Sequence, residues 1–235
     1  MSERVGCPFD VCDGSGFVID EGSRVATPCR CRSQVVAKMR SSALRARIPR
    51  RYANVSFDRP PVPQISEPVV RVVRRFVADI AANLDAGRGL WFQGPSGTGK
   101  TTLAMLVSRA AMEAGRSVAI YSMPRLLSEL RGTYREGSAM DDLELLDQLA
   151  DVDLLHIDDL GAERRNDWVL EQLYVIINSR YEEERSVVIT TNVTDPAQLA
   201  EQVTPRIVSR LEEMCELLPL WSADGRKPVF DAPAA

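Results

Sequence analysis

Residues Gly94-Pro95-Ser96-Gly97-Thr98-Gly99-Lys100-Thr101 leave little freedom in how the chain around them folds. They close a short apolar run, Leu90-Trp91-Phe92, and open a helical pattern, so G-x-x-x-x-G-K-[ST] stands in the strand–loop–helix setting that gives it meaning. Glycines at this density let backbone N–H groups turn inward around an anion, and the helix that follows adds the positive end of its dipole. Gly94, Pro95, Ser96, Gly97, Thr98, Gly99, Lys100, Thr101 and Thr102 are therefore the expected phosphate cradle. Lys100 supplies a flexible point charge for the outer phosphates, and the Thr101 hydroxyl is suited to hold magnesium. The ligand this implies is a nucleoside triphosphate with Mg2+.

Downstream, apolar strands alternate with helical patterns. Strands are expected at 89–93, 117–122, 152–157, 186–191 and 215–220, with helices at 100–114, 124–135, 141–150, 166–184 and 203–214. Apolar residues at helical spacing from Val69 to Leu84 predict a further helix over 66–84, with Gly87 as its stop. Such alternation gives an α/β fold, a P-loop parallel sheet with helices on both faces. The runs Val118-Ala119-Ile120, Leu154-Leu155-His156-Ile157 and Val187-Val188-Ile189 suit strands buried on both sides.

Ligands bind at the C-terminal ends of such strands. Asp158 and Asp159 end one of them. Asp158 is expected to hold magnesium through its water shell, and Asp159 to polarise the water that attacks the γ-phosphate. The next strand ends Thr190-Thr191-Asn192, which brings an amide to the same phosphate, although an Asn there also suits a plain β-turn. His156, the single histidine, reads as a core residue with no assigned role.

Charge and cysteine usage divide the chain. The net charge is −4, yet residues 1–59 carry 11 Lys/Arg against 6 Asp/Glu, and no acidic residue falls between Arg30 and Arg51. That block suits DNA phosphates, an acidic protein surface or simply a solvated helix over 33–47. No apolar run reaches 18 residues, and Cys7-Pro8-Phe9-Asp10 occupies the place of a signal peptide's apolar stretch, so a cytoplasmic protein is expected. In that compartment cysteines are metal ligands or reduced thiols. Cys7-x4-Cys12 and Cys29-x-Cys31 form two close pairs that suit tetrahedral zinc, while Cys215 reads as a core thiol. Three regions follow: 1–47, a zinc-binding basic region; 48–65, a Pro-rich linker through Pro60-Pro61-Val62-Pro63; and 66–235, the ATPase domain.

The run Asp158-Asp159-Leu160-Gly161-Ala162-Glu163, with Trp168, Tyr174, Ile177-Asn178, Arg180-Tyr181 and Thr190-Thr191-Asn192, resembles the AAA+ core of the DnaC/DnaI bacterial helicase loaders and their relative, the transposition helper IstB. Ile48-Pro49-Arg50-Arg51-Tyr52 through Asp58 is similar to the loaders' entry into that domain. The resemblance implies an ATPase in which Asn192 is sensor 1 and Arg210 is an arginine finger completing a neighbouring subunit's site, with Arg206 supporting that interface. It implies self-association through the ATPase domain, a replicative DNA helicase of the DnaB type as partner, and single-stranded DNA bound near Arg125, Arg131, Tyr134 and Arg135. A solvated helix face explains those four residues equally well. It also implies a zinc-binding N-terminal region of the DnaI type. The chain ends about fifteen residues after the last core strand, so the helical lid that carries sensor 2 in other AAA+ proteins is not expected, and Arg226 stays unassigned. Two rival readings remain open: an IstB-like helper of transposition, and a nucleotide-gated adaptor with negligible hydrolysis.

Overall fold

A computed structural model describes residues 7–20, 22, 25–36, 47–133, 142–161 and 167–221. Most of the helix expected over 33–47, with Lys38, Arg40 and Arg45, lies outside the described residues, as do Tyr134, Arg135, Ala162, Glu163 and Arg226. Near the N-terminus, strands β1 (Phe17–Asp20) and β2 (Val25–Pro28) pair as an antiparallel hairpin. Helices α1 (Glu67–Ala78) and α2 (Ile80–Asp85) lead to strand β3 (Gly89–Gln93), and helix α3 (Lys100–Glu113) follows the glycine-rich loop. Then come β4 (Val118–Ser122), α4 (Met123–Thr133), α5 (Asp142–Asp151) and β5 (Leu154–Leu160). The chain closes with α6 (Asp167–Glu182), β6 (Ser186–Thr191), α7 (Pro196–Val203), α8 (Pro205–Met214) and β7 (Cys215–Pro219).

Strands β3 to β7 form one parallel sheet in the order β4-β5-β6-β3-β7. Side chains alternate across a strand, so each strand feeds two cores. Leu90, Phe92, Val118, Ile120, Leu154 and Val188 pack with α1, α2 and α3 on one face. Trp91, Ala119, Tyr121, Leu155, Ile157 and Val187 pack with α4 to α8 on the other. The sheet's apolar runs are thus buried on both sides, as parallel sheets require.

Three features depart from the expected pattern. The helix anticipated over 66–84 breaks at Asp79, where Asn83 Nδ2 donates to the Phe76 carbonyl at 2.9 Å and satisfies a group the break releases. The additional helix α7 starts at Asp195-Pro196, with the Asp195 carboxylate accepting from the Ala197 N–H at 2.9 Å. The stretch expected as a linker packs Val55, Val62 and Ile65 into the α1–α3 core, and Arg109 of α3 grips it through the carbonyls of Tyr52, Ala53 and Val55.

Arg180 of α6 is wholly buried and joins three segments that would otherwise hide four unpaired carbonyls. It donates to Leu149 (2.7 Å), Ala150 (3.1 Å), Asp153 (3.3 Å) and Ser186 (2.6 Å), tying the end of α5 to the starts of β5 and β6.

Candidate nucleotide site and metal centre

The loop between β3 and α3 bends through three glycines with positive φ: Gly94 (153°), Gly97 (85°) and Gly99 (97°). Two of them also need the missing side chain for room. A Cβ at Gly94 would lie 2.0 Å from the Leu220 carbonyl oxygen, and one at Gly99 would lie 2.3 Å from Ile65 Cδ1. Lys100, 4% exposed, folds its ammonium back to donate to the carbonyls of Gly94 and Pro95, each at 2.7 Å. Thr98 Oγ1 donates to the same Pro95 carbonyl at 3.0 Å. Lys100 is therefore held at the loop's mouth, where phosphate oxygens can replace those carbonyls.

A β-bulge aims the carboxylates. Between Ile157↔Ile189 and Leu160↔Thr191 strand β5 has one more residue than β6, and Asp159 takes φ 60°. Bulges re-aim side chains, and a non-glycine residue in the left-handed region costs roughly 1–3 kcal/mol. The result is a polar chain across three strand ends. Asp158 Oδ1 accepts from Thr101 Oγ1 at 2.9 Å and from Thr190 Oγ1 at 2.7 Å. Thr190 Oγ1 also accepts the Asp159 N–H at 2.9 Å. Asn192 Nδ2 donates to Asp159 Oδ1 at 3.0 Å, and Ser96 Oγ donates to Asn192 Oδ1 at 3.4 Å.

These groups line a cavity of about 630 Å3 that takes in Gly97 to Thr102, Asp158, Asp159 and Asn192. Its remaining wall comes from Arg51, Tyr52, Pro61, Gln64 and Ile65, none of them expected as site residues. Composition offered only one hint of them, because the proline cluster that reads as a linker also supplies rigid turns. Beneath the floor lies His156, wholly buried, its Nδ1 2.9 Å from Ser108 Oγ; burial pushes its pKa down to about 3. A deep cradle of backbone donors, one lysine and two carboxylates suits a polyphosphate with a divalent cation.

Comparison with known proteins agrees with this geometry. Residues 72–221 match the family described as IstB-like ATP binding protein. The chain belongs to that family. This IstB-like chain is also similar to a crystal structure of the DnaC helicase loader, with a TM-score of 0.63 and 32% identity over 73% of this chain and 99% of that one. Its fold is thus the AAA+ P-loop fold of that neighbour. It is 25% identical over 192 residues to the replicative helicase loader DnaC of Buchnera aphidicola subsp. Acyrthosiphon pisum, which covers 81% of this chain and 76% of that protein. It is 31% identical over 134 residues to the insertion sequence IS1162 ATP-binding protein of Pseudomonas fluorescens, covering 56% of each.

Other residues singled out in this IstB-like chain lie away from the cavity. Arg210 sits on α8, donates to Tyr174 Oη at 3.2 Å and lies 5.0 Å and 5.3 Å from the ring centroids of Tyr174 and Tyr181. Arg206 is exposed one turn earlier. On α4, Arg125 pairs with Glu129 at 3.6 Å, and Arg131 lies 5.1 Å from the Trp168 ring centroid. Among the described residues no helix is long and apolar enough to cross a membrane.

In the N-terminal region the four cysteines converge. The sulfurs of Cys7, Cys12, Cys29 and Cys31 all lie within 4.8 Å of one another, with Cys7–Cys29 at 3.8 Å and Cys12–Cys31 at 3.4 Å. Tetrahedral Zn–S bonds of 2.3 Å place sulfurs about 3.8 Å apart. The donor set therefore fits zinc in number, softness and spacing. Backbone N–H donors, Val11 first, lower the Cys7 thiol to about 6, whereas burial pushes Cys31 up to about 12. A bound dication would favour all four thiolates together. Cys215 lies apart, buried beside the Val187 carbonyl.

Proposed function

We propose that this chain is an ATP-hydrolysing loader that binds a replicative helicase and single-stranded DNA and uses nucleotide state to time loading and release. The observation that carries the ATPase part is the hydrogen-bonded chain Thr101–Asp158–Thr190–Asp159–Asn192 at the mouth of the phosphate loop. The loop residues from Gly94 to Thr102 bind the phosphates, with Lys100 at the outer ones. Thr101 and Asp158 hold magnesium, which when bound neutralises charge on the transferring phosphoryl group. Asp159 orients and polarises the attacking water, and Asn192, bonded to Asp159, fixes that carboxylate and senses the γ-phosphate. Arg210, projecting from α8 away from its own cavity, reaches a neighbouring subunit's nucleotide, so activity rises on assembly. Cys7, Cys12, Cys29 and Cys31 hold zinc, and the basic region around them grips the helicase.

Lys100→Ala is expected to abolish ATP binding, read by titration calorimetry. The loader role is tested by light scattering on a sizing column, with the protein, its host's replicative helicase and ATP. A co-eluting complex that is lost when residues 1–46 are removed supports the loader and locates its grip, since residues 47–65 stay with the ATPase core. Absence of a complex in every nucleotide state overturns it. The family match and the 31% identity to the IS1162 protein then favour the second reading, a transposition helper that binds duplex DNA and a transposase.

A further inference from the structure

Two rungs join the phosphate-loop helix to the strand that bears the acids. Thr101 and Ser108 lie seven residues apart on α3, two turns along one face, and His156 and Asp158 alternate onto one face of β5. The upper rung is the Thr101–Asp158 hydrogen bond at 2.9 Å, and the lower is Ser108 Oγ to His156 Nδ1 at 2.9 Å. Both lower-rung residues are wholly buried. The remaining ring nitrogen, His156 Nε2, makes no hydrogen bond among the described residues and lies 4.0 Å from Asp158 Oδ1. That oxygen is the one on which Thr101 and Thr190 converge.

The neutral ring has two arrangements. If Nδ1 carries the hydrogen and donates to Ser108, the Nε2 lone pair faces a carboxylate oxygen. If Ser108 donates to Nδ1, an N–H dipole faces that oxygen instead, and the field of the carboxylate selects this arrangement. At 4.0 Å the contact is a dipole directed at a charge, longer than a hydrogen bond.

We propose that His156 is a positioning residue for Asp158: Ser108 fixes it as the Nε2–H tautomer, and the N–H holds the carboxylate in the orientation in which Thr101 and Thr190 meet it. The proposal rests on the reading of Asp158 as the carboxylate that faces magnesium. Groups behind a metal's ligands are known to tune affinity through orientation.

His156 is the single histidine, so 15N-labelled protein gives one imidazole spin system and its tautomer can be read without assignment. A long-range 1H–15N spectrum of the full chain at neutral pH is expected to show a protonated Nε2 and a hydrogen-accepting Nδ1. A protonated Nδ1 overturns the proposal. This measurement needs neither ATP turnover nor a helicase, so it fails or succeeds apart from the loader reading. The second arm follows Mn2+ binding to the ATP-loaded protein by electron paramagnetic resonance. His156→Gln keeps an N–H near the Nε2 position and is expected to bind Mn2+ like wild type. His156→Asn keeps only the partner for Ser108 and is expected to bind about tenfold more weakly. Equal affinity in H156N and wild type overturns the positioning role, and so does an H156Q as weak as H156N, because packing rather than the donor would then matter.

Discussion

Polar side chains around the phosphate loop are held by one another before any ligand is considered. Lys100, Thr101, Asp158, Thr190 and Asn192 each have a protein partner within 3.0 Å, so the site's geometry is set by the fold. His156 makes this rigidity measurable. Burial holds its pKa at about 3 against an ordinary 6.5, so between those values the unfolded chain binds a proton that the folded chain excludes. Stability is therefore lost as pH falls below about 6.5, at ~1.4 kcal/mol per pH unit from this residue. Metal-free protein is expected to lose about 2 kcal/mol from His156 between pH 7 and pH 5. Urea unfolding at the two pH values checks this, and the pH difference should narrow in H156Q. Sequence placed His156 in the core but left it without a role, because the alternation that buries it does not reveal what lies across the gap.

At the scale of elements, the sequence was legible where one period dominated. Strands β3, β4 and β6 and helix α3 fall within about one residue of their expected bounds, since apolar runs and the phosphate loop marked them. The bulge in β5 was not legible, because one added residue at Asp158-Asp159 alters pairing without altering composition. Helix α7 was missed although Asp195-Pro196 is an N-cap followed by proline at N1, a readable start before a helix of only eight residues. The nucleotide wall from Arg51 to Ile65 lacked any period at all. Two predictions belong to this scale. Arg180→Leu strips the donors from four carbonyls at once, and chemical denaturation is expected to show a loss of about 3 kcal/mol or more. For the metal module, a strong chelator is expected to release one zinc per chain and expose four thiols to a colorimetric reagent. Cys215, buried and with its thiol pKa raised by that burial, should react only on unfolding. Four reactive thiols before chelation would count against zinc.

For the molecule as a whole, the separation of Arg210 from its own cavity gives the clearest expectation. Arg210→Ala should leave ATP affinity near wild type and remove the rise in ATPase rate with protein concentration, measured by phosphate release. If Arg210→Ala hydrolyses like wild type under assembling conditions, the trans role is wrong. The loss of cation–π contact with Tyr174 and Tyr181 should cost only about 1 kcal/mol of stability, which separates a folding defect from a lost finger.

The chain that leaves the cysteine cluster does not pass freely to the sheet. Its residues Arg51, Tyr52, Pro61, Gln64 and Ile65 form one side of the nucleotide cavity, and Arg109 clamps the carbonyls of Tyr52, Ala53 and Val55 to the helix that begins at Lys100. Thermodynamic reciprocity then applies to the tether itself. If a partner of the cysteine module changes nucleotide affinity through residues 51–65, then nucleotide must change that partner's affinity by the same factor.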